Sequence, residues 1–114
     1  MKPIYVVEPH VDTAILETDL LEEAGFAVRV VSPDDAGTAI ETGEAGLLLI
    51  TAGPRDGTAA TSLLVKANVA KVPVIVTTTG RTDLDRWRSA VAVLLKPFSF
   101  EELVARVRAH FAAG

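Results

Sequence analysis

Short apolar runs alternate along the chain with longer stretches in which apolar residues recur at helical spacing. Pro3 to Val7 reads as a first strand, and Val11 to Ala24 as a helix that Gly25 ends. Phe26 to Val31 reads as the second strand. Ser32-Pro33-Asp34-Asp35 then combines a capping serine, a first-turn proline and acids facing the helix dipole, opening a helix that ends near Gly43. Leu47 to Thr51 is the third strand, its apolar run typical of a strand buried on both faces. After a loop from Ala52 to Gly57, Thr58 to Val69 reads as a third helix with Leu63, Leu64 and Val69 inward. Val72 to Thr77 is a fourth strand rich in β-branched residues, Thr82 to Ser89 a short fourth helix, and Val91 to Leu95 the fifth strand. Ser99-Phe100-Glu101-Glu102 is a capping box, and Phe100, Leu103, Val104, Val107 and Phe111 follow it on one apolar helical face.

Strict alternation of strands and helices implies a parallel sheet covered on both sides. Ligands of such a sheet bind at the carboxyl ends of its strands. That edge carries Glu8-Pro9-His10, Thr51-Ala52-Gly53, Thr77-Thr78-Thr79 and Lys96. The 114 residues suit one domain over 1–114, with neither linker nor repeat. No apolar run approaches a membrane span, no secretory signal is visible, and there is no cysteine, all of which fits the cytoplasm. A net charge of −4 argues against direct nucleic-acid binding, which needs a basic surface. The basic residues Arg81, Arg86, Arg88, Lys96, Arg106 and Arg108 gather in the last third, so one flank is expected to be basic.

Lys96-Pro97-Phe98 after the run Val91 to Leu95, and Pro73-Val74-Ile75-Val76-Thr77-Thr78 before it, are the most specific segments. With the element order from Pro3 to Phe111, they resemble receiver domains of bacterial response regulators. The resemblance implies a flavodoxin-like (βα)5 fold, a doubly wound five-stranded parallel sheet in the order 2-1-3-4-5. It assigns Thr78 to the strand-four hydroxyl that contacts the phosphoryl group, and Lys96 to the phosphate-binding lysine. The bond from Lys96 to Pro97 is usually cis in the family.

The departures from that pattern are chemical. The paired acids that hold magnesium in the family read Glu8 and Pro9 here, and proline has no side-chain ligand. Thr51 stands where the family has its phosphoacceptor aspartate, and no Asp or Glu lies between Ala45 and Arg55. A threonine hydroxyl is a weak nucleophile without a general base. Val93 replaces the aromatic switch residue. The chain therefore reads as a degenerate receiver, without phosphotransfer chemistry, metal, cofactor or enzymatic activity.

Two readings of the old phosphate site stay open: Lys96 pairs with Glu8, or Lys96 reaches water and Glu8 is solvated. Thr77 to Gly80 offers hydroxyls and amides to an anion, but ordinarily such residues end a strand. His10 has only the remote His110 for company, and Asp34 and Asp35 are explained by their helix start. Arg81, Arg86 and Arg88 surround the only tryptophan, Trp87. Arg and Trp are frequent in binding hot spots, although a half-packed core tryptophan among solvated arginines explains the segment too.

By resemblance, the surface formed by the fourth helix, fifth strand and last helix is the docking face, with Arg86, Trp87 and Arg106 expected there. The partner would be a protein, another domain of a signalling protein, or a second copy in a homodimer. An alternative is a cyclic dinucleotide bound along Arg81 to Arg88. A further alternative is phosphorylation at Asp56.

Overall fold

The computed structural model describes residues 2–52, 57–79 and 84–111. In chain order its elements are β1 (Ile4–Val7), α1 (Val11–Glu23), β2 (Val28–Val30), α2 (Pro33–Thr42), β3 (Leu47–Ala52), α3 (Gly57–Ala70), β4 (Val74–Thr78), a 3-10 turn (Leu84–Trp87), β5 (Ala92–Leu95) and α4 (Phe100–Phe111). The strands form one parallel sheet in the order β2-β1-β3-β4-β5.

The helix boundaries follow from side-chain chemistry. Ser32 Oγ accepts the Asp35 amide at 3.2 Å, with Pro33 in the first turn of α2. Gly43 closes α2 at φ 77°, a left-handed conformation that costs glycine little. Ser99 Oγ accepts the Glu102 amide at 3.1 Å and opens α4. The Lys96–Pro97 peptide bond is cis.

Alternation along the strands sorts the sheet into two faces. Ile4, Val6, Leu47, Leu49, Ile75 and Leu94 pack beneath Leu21 of α1 and Leu103 and Val107 of α4. Tyr5, Val7, Leu48, Ile50, Val74 and Val76 pack beneath Ala36, Ala39 and Ile40 of α2 and Ala60, Leu63, Leu64 and Ala67 of α3. The same alternation carried to the strand ends puts Glu8, Thr51, Thr77 and Lys96 on the α1/α4 side. It puts Ala52, Thr78, Val93 and Leu95 on the other.

Three expectations are corrected here. Of the short helix read over Thr82 to Ser89, Thr82 and Asp83 lie outside the described residues, and the rest is a single 3-10 turn at Leu84–Trp87 in place of an α-helix, continued by i→i+3 bonds from Arg88 to Asp85 and from Ala90 to Trp87. Trp87 is 3% exposed and belongs to the core beneath α3, so it is not part of a surface. Sinking this large ring into the core holds the segment as a tight turn. In α3 the inward stripe is Ala60, Leu63, Leu64 and Ala67, at spacings of three and four. Val69 falls off that stripe and is 83% exposed.

Candidate functional site

The register brings four strand ends together. Val7 pairs with Ile50, Thr51 with Thr77, and Thr78 with Leu95. One residue further along β1 and β5 stand Glu8 and Lys96, facing α1. Lys96 Nζ lies 3.3 Å from Glu8 Oε1, so the two form an ion pair. The Thr51 hydroxyl donates to that same oxygen at 2.7 Å and sits 3.0 Å from the Thr77 hydroxyl. Glu8 Oε2 accepts the His10 amide at 3.1 Å. The Glu8 side chain is fully buried, while that of Lys96 keeps 25% of its exposure. Of the two readings left open by the sequence, the structure has the ion pair.

An ionised carboxylate only accepts hydrogen bonds, and it must be paired when buried. Glu8 meets both conditions with a lysine, a threonine and a backbone amide. Neither oxygen is left without a donor, and Pro9 beside it is exposed. Magnesium favours octahedral oxygen ligation, usually including carboxylates. These residues do not fit it, and no cluster of three metal-ligating side chains exists among the described residues.

Thr78 is buried, but on the α2/α3 side, in register with Ala52. Thr77, expected at the ligand edge only as an ordinary strand end, is the threonine whose hydroxyl meets Thr51. Counting two residues at a time from Ile75 would have found it. Val93 is half-buried and packs against the α2/α3 core.

The sequence reading missed Glu17. It lies on α1 between Ala14 and Leu21, at spacings of three and four, on the stripe that faces the sheet. A carboxylate on that stripe was the available signal. Glu17 is 1% exposed, and neither carboxyl oxygen has a hydrogen-bond partner. Burial is the main force raising its pKa from the ordinary 4.5 to about 7; the Glu8 charge adds to the rise and Lys96 opposes it.

Of the expected site along Arg81 to Arg88, the described part does not present its tryptophan. Trp87 is buried, so it offers no ring to stack on a nucleotide base. The Arg86 guanidinium lies 5.1 Å from the Trp87 ring centre and also donates to the Thr61 hydroxyl at 3.3 Å. Arg88 pairs with Asp85 at 2.9 Å on the surface. Arg106 is exposed on α4. Arg81 and the alternative phosphoacceptor Asp56 lie outside the described residues.

No family model matches the chain, and no curated protein matches it in sequence. Solved structures do match its fold. The receiver domain of the Francisella response regulator 1452 superposes with a TM-score of 0.78 at 24% identity, covering 99% of this chain and 98% of that one. The response regulator TrrA of Thermotoga maritima, solved with magnesium and BeF, gives 0.79 at 23% identity, with 96% and 98% covered. A CheY-like receiver from Methanospirillum hungatei gives 0.80 at 19%, with 99% and 95% covered. The fold is that of a response-regulator receiver domain. Within this receiver fold, Glu8, Thr51, Thr77 and Lys96 occupy the carboxyl edge where such sheets bind ligands. No helix among the described residues is long and apolar enough to cross a membrane.

The Glu17 carboxyl has a signed consequence for stability. A carboxyl whose value is raised on folding keeps its proton where the unfolded chain has released it. Its favourable contribution is full below 4.5, fades as pH rises towards about 7, and stays lost above. The full loss is roughly 3 kcal/mol. Denaturant unfolding at a series of pH values is expected to show parent stability falling across this window relative to Glu17→Gln. Parallel profiles for the two proteins would contradict the assignment.

Proposed function

We propose that this chain is a receiver-fold signalling module that works without phosphorylation. The observation that carries this reading is the ion pair of Glu8 and Lys96, closed by the Thr51 hydroxyl. The lysine expected to meet a phosphoryl group already has an internal partner. The position expected to accept the phosphoryl group is a threonine whose hydroxyl completes the same network. Among the described residues, the carboxylate at this edge is Glu8, which is already engaged by Lys96, Thr51 and the His10 amide, and no cluster of three metal-ligating side chains stands beside it.

Output in this reading is protein contact, through the face formed by the 3-10 turn, β5 and α4. Arg86, Arg88, Glu101 and Arg106 give it mixed charge and are exposed. Mixed charge suits docking to another signalling domain or to a second copy of the chain, fixing orientation more than affinity. Trp87 is removed from this face by its burial, which leaves only the arginines to support the alternative of a cyclic dinucleotide site. The chain acts as one domain in this reading.

Two experiments test the proposal. Amide NMR spectra with magnesium and beryllofluoride, which mimics an aspartyl phosphate, should show no change at Glu8, Thr51, Thr77 or Lys96. Saturable shifts there would establish a working phosphoryl site. For the face, a photo-crosslinking residue at position 106 should yield a discrete adduct in cells, and one at Asp19 on α1 should not. The reverse pattern would move the docking surface to α1.

A further inference from the structure

Glu17 is a buried acid with no hydrogen-bond donor on the stripe of α1 that faces the sheet, and Lys96, which holds another acid by one contact, follows β5 on that same side of the sheet. The charges that act on Glu17 are Glu8, at the end of β1, and Lys96, at the end of β5. The third packing neighbour, α4, lies over the same core with Leu103 and Val107; its Arg108 donates to the Ala24 carbonyl at the end of α1, its Glu101, Glu102 and Arg106 are exposed, and its His110 is half-buried. On α1 itself the residues three and four positions away are Thr13, Ala14, Leu20 and Leu21, none of them ionisable.

We infer that Glu17, Lys96 and Glu8 form a proton-operated switch, in which the two carboxyls compete for one ammonium. This deepens the proposed function, on which it rests, by naming the input that replaces phosphorylation. With Glu17 protonated, its neutral carboxyl sits in the apolar interior and Lys96 stays on Glu8. When Glu17 releases its proton to water, a buried carboxylate is left with no donor. Such a group must find a cation or be expelled. Lys96 can answer, because its ammonium has three donors on a flexible four-carbon stem and is partly exposed. At 3.3 Å its contact with Glu8 is long for a charge-assisted hydrogen bond.

The motion has a route outward. As Lys96 turns to Glu17, the Glu8 oxygen shared with Thr51 loses its cation and the hydroxyl pair of Thr51 and Thr77 must adjust. Lys96 also leads directly through Pro97 and Phe98 to the start of α4. A proton on α1 is thereby read at the docking face. Near neutrality the titration of Glu17 supplies a range in which both states are populated.

The test is an NMR titration of the whole chain from about pH 5 to about pH 9, following the Glu17 carboxyl carbon, the Lys96 ammonium nitrogen and the Thr51 and Thr77 amides. The expected result is a Glu17 midpoint near neutral pH, with the other three signals moving on the same midpoint. In Glu17→Gln those three movements should vanish. A Glu17 midpoint in the ordinary carboxylate range would overturn the inference. So would a neutral midpoint that leaves Lys96 unmoved. The parent titration decides the matter even if the variant fails to fold. It uses no phosphoryl mimic, so its outcome is separate from that of the beryllofluoride experiment.

Discussion

The buried carboxylate of Glu8 constrains everything at the carboxyl edge of the sheet. Once a charge is placed there with no exposure, the neighbouring strands must deliver donors to it. β3 delivers the Thr51 hydroxyl, the segment after β5 delivers the Lys96 ammonium, and the start of α1 delivers the His10 amide. Removing any one leaves part of a buried charge unmet. The ion pair thus links the ends of β1 and β5, and the Thr51 and Thr77 hydroxyls extend the network to β3 and β4.

The two faces of the sheet divide the labour. The α2/α3 face is an apolar core that takes in Trp87 and carries Thr78 and Val93 away from Glu8 and Lys96. The α1/α4 face is apolar near the amino ends of the strands and polar near their carboxyl ends. Glu17 sits on that second face as an acid without a donor. Its burial costs stability whenever it is ionised, and such a cost is tolerated most readily where a change of state is useful. The lysine that relieves it belongs to the chain segment leading into α4. One residue thereby ties the interior charge balance to the surface proposed for docking.

Much of the fold was legible in the chain. Ser32 and Ser99 announced helix starts through an oxygen placed three residues before an unpaired amide, and both hydrogen bonds are present. Lys96 was legible because a lysine directly after a buried strand has few places to go. Less legible was anything that depends on which way a side chain faces. Thr78 was preferred to Thr77 by likeness to other receivers, whereas the alternation from Ile75 puts Thr77 with Thr51. Trp87 looked like a surface anchor because arginines flank it, but a large ring in a short connection is drawn into the core. Glu17 was hidden among the acids of α1, and only its spacing from Ala14 and Leu21 marked it. Pattern reports periodicity well, and a single polar residue breaking an apolar stripe is easily read as noise.

The central claim is that Glu8 and Lys96 hold the site shut as an energetically coupled pair. A double-mutant cycle with Glu8→Gln and Lys96→Met, measured by denaturant unfolding at neutral pH, tests it most directly. The account predicts a favourable coupling of about 1–3 kcal/mol, with either single variant more damaging than its share of the pair. Additive effects, with a coupling near zero, would contradict it and return Lys96 to the role of a solvated lysine at a strand end.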